Sequence, residues 1–165
     1  RGRRLTKAKL PEGGKVPVFH GGLEPIGFTD KSNTQAMTVM VINVGASAGS
    51  VGWSEGPFWC SDGCFALPHS PVALSKYLYY CALANQSFFV SKVRRAGIPT
   101  LAAASVLSLR IPVPPLPIQE EIVRILDSFD SLVNDLSVGL PAEIAARRKQ
   151  YEYYRDKLLT FEVAA

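Results

Sequence analysis

From Lys15 onward, short apolar runs alternate with glycine- and serine-rich breaks, the rhythm of short strands joined by turns. Lys15 to Phe19 predicts a strand, His20-Gly-Gly22 a turn, and Ile26-Gly-Phe28 a second short strand, ended by the polar run Thr29 to Gln35. Met37 to Val44 is β-branched and almost continuously apolar, which predicts a strand buried on both faces. Gly45-Ala-Ser-Ala-Gly49 follows as a tight loop. Val51 to Trp53 and Phe58 to Cys60 predict short strands around a Glu55-Gly-Pro57 turn. Ser70-Pro71 has the form of a helix start, with Ser70 as N-cap. Leu74, Leu78, Cys81, Ala82, Phe88 and Phe89 keep near-helical spacing to about Ser91, and Gly97-Ile-Pro99 stops it. Val106 to Val113 predicts a last strand.

The pattern changes at Ile111 to Ile118. Pro112, Pro114, Pro115 and Pro117 each fix φ and remove a backbone donor, which predicts a semi-rigid junction that neither helix nor central strand can cross. Beyond it, Ile118, Ile122, Ile125, Leu126, Phe129, Leu132, Val133 and Leu136 form one apolar stripe at helical spacing. Gly139-Leu-Pro141 interrupts it. Ile144, Tyr151, Tyr154, Leu158 and Phe161 then recur as a heptad-like seam, opposite a face of Arg147, Arg148, Lys149, Glu152, Arg155, Asp156 and Lys157. So long a stripe calls for another helix to cover it, a hairpin mate or another chain. The expected organisation is an α+β domain with short curved strands over 1–111, a proline-rich junction over 112–118, and a helical region over 119–165.

Charge divides at the same place. Residues 1–111 carry 12 Lys+Arg against 5 Asp+Glu, a net of +7; residues 112–165 carry 6 against 9, a net of −3. A basic domain joined to an acidic helical region points to a polyanionic partner, nucleic acid first. The 47% hydrophobic content builds a core, and no apolar run approaches the ~20 residues of a membrane span. The first residues lack the apolar stretch of a signal peptide, and there is no initiator Met, as expected of a fragment or processed product. Three cysteines, an odd number, fit a reducing cytoplasm better than a disulfide framework.

Gly45-x-Ser47-x-Gly49 has the form of a hydrolase elbow, but only Asp62 and His69 follow closely, and the next segments do not suit the larger sheet a hydrolase needs. A glycine loop in close backbone contact with a neighbour is the better reading. Cys60 and Cys64, with His69 and Cys81, do not have zinc-site spacing. Two basic clusters remain: Arg1, Arg3, Arg4, Lys7 and Lys9, and then Lys92, Arg94 and Arg95. The second sits at a predicted helix C-terminus, where cations also complement the dipole. Both are candidate phosphate contacts. His20, Ser47 and Ser50 are candidate base-edge readers, with Asn43 and Trp53 around the same loop.

Several stretches carry a family likeness. Arg1-Gly-Arg-Arg-Leu-Thr-Lys7, Gly21 to Asp30, the Gly45 to Gly49 loop and Trp59 to Gly63 resemble a target recognition domain. Ile111-Pro-Val-Pro-Pro-Leu-Pro-Ile-Gln-Glu-Glu-Ile-Val-Arg-Ile-Leu-Asp127, Leu140 to Ile144 and Arg147 to Leu159 resemble the conserved helical region of type I restriction–modification specificity (HsdS) subunits. The resemblance implies a non-catalytic protein. Members carry two target recognition domains, each reading one half of a split double-stranded DNA site. Their helices pack as an antiparallel coiled coil that sets the gap between half-sites. They also dock the methyltransferase (M) subunits, and the restriction (R) subunit joins through the complex. S-adenosylmethionine, ATP and Mg belong to those partner subunits; no cofactor or metal is expected in this chain.

Only one recognition domain and one helical region are present here. Two assemblies follow: a homodimer, which would read a palindromic split site, or pairing with a second half. The seam residues expected to pair are Ile122, Ile125, Phe129, Leu132, Leu136, Ile144, Tyr151, Tyr154, Leu158 and Phe161. Two rivals stand beside this reading. A stand-alone dimeric DNA-binding regulator would bind fully without a methyltransferase. A small serine hydrolase would lose ester turnover on Ser47→Ala.

Overall fold

The computed structural model describes residues 2–11, 13–131, 143, 149 and 150. It forms two compact units, residues 1–123 and 124–165. The first is α+β, as the sequence predicts, and carries six strands: β1 Val16–Phe19, β2 Gly27–Thr29, β3 Thr38–Ile42, β4 Val51–Ser54, β5 Trp59–Cys60 and β6 Cys64–Ala66. They make two three-stranded sheets. In one, β1 pairs antiparallel with β2 and parallel with β5. In the other, β3 lies between β4 and β6, antiparallel to both.

β3 explains the core. All five of its residues are buried, and their side chains alternate between faces. Val39 and Val41 join Val51, Phe65, Ala82, Phe89, Leu101 and Val106 on the helical side. Met40 and Ile42 join Phe19, Phe58, Cys60 and Cys64 on the other. The near-continuous apolar run is therefore split by the pleat into two cores. Edge-to-face packing of Phe19 on Phe58, with ring centroids 5.4 Å apart, fills the second.

The helical side departs from expectation in three places. The helix predicted from Ser70-Pro71 begins at Ser75 (α1, Ser75–Ala84). The Ser70 hydroxyl accepts from the Val72 N–H at 3.3 Å instead, a local turn rather than a cap. The helix also breaks at Asn85, whose side chain donates to the Cys81 carbonyl at 2.8 Å, and restarts as α2, Gln86–Ser91. The strand predicted over 106–113 is wrong: Ala103–Leu107 is a helix, α3. Three consecutive alanines favour helix there, and one turn suffices to bury Val106 beside Leu101 in the core.

The proline run is extended, and helix α4 begins at residue 116 and continues to 131, the last of the consecutive described residues. Pro117 falls in its first turn, where a missing N–H costs nothing. Rather than hanging free, the run is tied to the globular unit. The Gln119 side chain is fully buried; its Nε2 donates to Pro114 O (2.7 Å) and Val72 O (2.9 Å), and its Oε1 accepts from Leu74 N (2.9 Å). The Tyr77 hydroxyl donates to Pro112 O at 2.9 Å. Of the expected seam, Ile125 and Phe129 are exposed and Ile122 is half-buried. Leu132, Leu136, Ile144, Tyr151, Tyr154, Leu158 and Phe161 lie outside the described residues.

Candidate nucleic-acid interface

The N-terminal arm is fixed by its backbone, which leaves the Arg3, Arg4 and Lys7 side chains exposed. Gly2 N donates to Cys64 O (3.3 Å), Arg3 N to Cys60 O (3.1 Å) and Leu5 N to Ser61 Oγ (3.2 Å). The Trp59 indole N–H donates to Arg3 O at 2.8 Å. A Cβ on Gly2 would overlap the Cys60 carbonyl, so this close docking needs glycine. The arm thus lies along β5, β6 and the turn that joins them, with Arg3 and Arg4 exposed, and Lys7 exposed on a short 3-10 turn at Lys7–Lys9. Lys9 falls in that turn, and Arg1 lies outside the described residues.

A chain of backbone contacts links this arm to the second basic cluster. Arg4, Leu5, Thr6, Lys7, His20 and Ile26 line one cleft of about 270 Å³. The His20 turn is held by close approach: a Cβ on Gly63 would stand 2.7 Å from both His20 Nδ1 and His20 O. His20 Nδ1 also lies 3.3 Å from Asp62 Oδ1, within ion-pair distance. The next residue, Gly21, sits against the Val44 carbonyl. Val44 bridges Thr100, Gly45 N donates to Pro99 O at 3.0 Å, and Thr100 exchanges two backbone bonds with Arg94, 2.9 and 3.0 Å. Arg94 and Arg95 are both exposed. Residues far apart in the chain (Arg4, Lys7, His20, the Gly45 turn and Arg94) therefore form one sequence of neighbours.

The glycine loop has a structural role. Ala48 N bonds Gly45 O and Ser50 N bonds Ser47 O, both at 3.0 Å. The ladder then closes through Ile42 N to Ser50 O, 2.9 Å, and Gly49 N to Ile42 O, 2.8 Å. Gly45 and Gly49 both need positive φ, +87° and +93°. Gly49 packs on α2, where a Cβ would stand 2.9 Å from Val90 N. Ser47 and Ser50 are half-buried parts of this turn. Asn43 is only 2% exposed, and half-buried Trp53 lies under the Lys76 ammonium, 4.8 Å from the ring centroid. Lys92 caps the end of α2 with its ammonium 5.5 Å over the Phe88 ring, which accounts for it structurally.

Cys60 and Cys64 sit in the core between the sheets, away from exposed His69, whose Nε2 is 3.0 Å from Thr38 Oγ1. Hydrogen bonding between the two thiols lowers the Cys60 pKa; the same bond, with burial, pushes Cys64 up. Sequence reasoning missed a polar cleft of about 440 Å³ lined by Thr34, Gln35, Thr38 and His69, among others. A neighbouring cleft shares Thr34 and reaches Arg3. Asn33 builds this corner: its amide accepts from Cys60 N (2.7 Å) and donates to Cys60 O (2.9 Å). The polar run Thr29 to Gln35 was the available signal, and it reads equally as a plain loop.

Comparison with known proteins agrees with this architecture. The chain is 34% identical, over 98% of its length and 54% of the relative, to a putative type I specificity subunit, S.MpnORF285P, of Mycoplasma pneumoniae. It is 40% identical over 97 residues to the EcoR124I/EcoR124II specificity subunit of Escherichia coli, covering 58% of this chain and 24% of that one. The chain spans about half the length of the curated relatives it matches along its whole length. Among solved structures, the type I restriction–modification S subunit of M. genitalium superposes with a TM-score of 0.71 at 28% identity, over 96% of this chain and 42% of that one. A second chain, from a type I restriction–modification system, shares the fold at 23% identity with a TM-score of 0.67. The model of the type I restriction modification DNA specificity domain matches residues 1–146, so the two-sheet unit with its docked basic arm and the start of its helical region belong to that family.

Proposed function

We propose that this chain is a sequence-specific DNA-recognition half of a type I restriction–modification specificity subunit. The observation that carries the reading is the run of neighbours from Arg4 and Lys7 through the His20 turn to Arg94 and Arg95. Cations on backbone-anchored segments neutralise phosphates and fix the register on a duplex. His20, at the centre of the run with polar ring atoms, is the best-placed group to meet base edges. Ser47 and Ser50, in the adjoining turn, offer hydroxyls at shorter reach.

In this reading the chain performs no chemistry. A second recognition domain, from another copy or another segment, reads the other half of a split site. The helical region beyond the proline junction holds the two apart and docks the methyltransferase subunit, through which the restriction subunit joins. S-adenosylmethionine and ATP act in those partners. No helix among the described residues is long and apolar enough to cross a membrane, and a cytoplasmic complex on DNA is the setting this function requires.

The test is to express the chain with the methyltransferase subunit of its own system and map methylated adenines across a genome. The expected result is a gapped motif, palindromic if two copies pair, that disappears with Arg4→Ala/Lys7→Ala. Identical methylation in the absence of the chain would overturn the proposal.

A further inference from the structure

The segment from Arg94 to Thr100 is a small hairpin with an unusual tip. Two backbone bonds between Arg94 and Thr100 close it, and the Thr100 hydroxyl donates to Ile98 O at 2.9 Å, bracing the turn from inside. Gly97 takes φ +80°, and Pro99 fixes the residue after the tip. The base is anchored twice to the β3 end, by the Val44–Thr100 bridge and by Gly45 N to Pro99 O. This braced turn presents Ile98 at 70% exposure, between exposed Arg94 and Arg95 and the Gly45 loop. One exposed isoleucine is ordinary. One held on a closed, doubly anchored hairpin beside two arginines is not explained by folding.

The electrostatic setting favours one kind of partner. Between Asp62 and Glu120 the chain contains no Asp or Glu, while Lys76, Lys92, Arg94, Arg95 and Arg110 all fall in that interval. Such one-sided charge suits an anionic partner, and duplex DNA offers phosphates on either side of a groove with apolar base faces and thymine methyls inside it. Resting on the DNA-reading function proposed above, we infer that the 94–100 hairpin is a DNA wedge. Arg94 and Arg95 hold phosphates, and Ile98 enters the groove against the base pairs and contributes to sequence discrimination. The hairpin rigidity matters because an apolar tip discriminates only if it is held at one depth.

The test uses the full chain, a 40-base-pair duplex of mixed sequence and a duplex library with a randomised core. Binding to the mixed duplex is followed against salt, and the library is carried through selection. For Arg94→Ala or Arg95→Ala we expect weaker binding to every duplex, with the log–log salt slope reduced by about one. For Ile98→Ala we expect an unchanged salt slope but a selected motif that loses preference at one or two base steps, with enrichment lower by about tenfold. Ile98 is exposed, so these variants fold, and circular dichroism checks that they do. The same motif at the same enrichment from Ile98→Ala would overturn the wedge while leaving DNA reading intact. So would an Ile98→Ala variant that selects normally but no longer assembles with the methyltransferase, which places the tip at a protein interface. Failure of the parent chain to bind any duplex would remove the DNA-reading function itself, and the wedge with it.

Discussion

Replacing Gln119 with alanine tests whether the proline junction is a fixed part of the recognition unit. The side chain is fully buried and makes three hydrogen bonds, to Leu74 N, Val72 O and Pro114 O. Truncation removes all three and strands three backbone groups. Each bond is worth about 1 kcal/mol net, and a stranded buried group costs about 1–3 kcal/mol. Val72 is exposed and Leu74 and Pro114 are half-buried, so water reaches part of the vacated site and the lower end applies. The expected loss is about 3 kcal/mol, which for a unit of this size lowers Tm by roughly 10 °C. Gln119→Glu supplies the control. At neutral pH its carboxylate faces two carbonyl oxygens and cannot donate, so the loss is as large or larger. Protonation lets it donate once. Because only the protonated form can donate to these carbonyls, the variant is expected to regain stability as pH falls from neutral toward the pKa of a free Glu and to lose it again as pH rises. Differential scanning calorimetry reads both. A Tm for Gln119→Ala within about 2 °C of the parent would refute the pinning.

Three other outcomes follow from the geometry. Gly49→Ala places a Cβ 2.9 Å from Val90 N at a φ of +93°, against backbone that cannot turn aside; a loss of about 2–4 kcal/mol in urea denaturation is expected, and a change under 1 kcal/mol, in roughly the range of a surface substitution, would sink the packing of this turn on α2. In the native protein, Ellman's reagent should modify half-buried Cys81 first, with Cys60 and Cys64 reacting only in denaturant; equal native rates would contradict their place in the core. Phe129 is 62% exposed, so Phe129→Asp should leave thermal stability of residues 1–123 unchanged while lowering the mass by light scattering from the dimer expected of the parent to that of one chain; a mass equal to the parent's would count against the helical seam as a pairing surface.

What was legible in the sequence was what local chemistry decides. β3 could be found because five consecutive β-branched or apolar residues have no alternative to two-sided burial. The Gly45 to Gly49 loop was best read as structural because its glycines, and not its serine, answer a backbone requirement. β6 escaped notice because three residues carry no period. Residues 106–113 were misassigned because one buried valine serves a helical turn as well as a strand. The candidate interface shows the same division more sharply. Both basic clusters are visible as composition, and His20 as a polar residue in a glycine turn. Their adjacency depends on Gly21 meeting Val44 and on Val44 meeting Thr100, contacts across many residues that no local pattern encodes. Gln119 is the limiting case: in a Gln-Glu-Glu run it looks like solvent-facing helix, yet it holds the junction. A proline run suppresses alternative backbone states without selecting a position in space. The buried amide selects it, by tying the junction to Val72, Leu74 and Pro114 of the same unit.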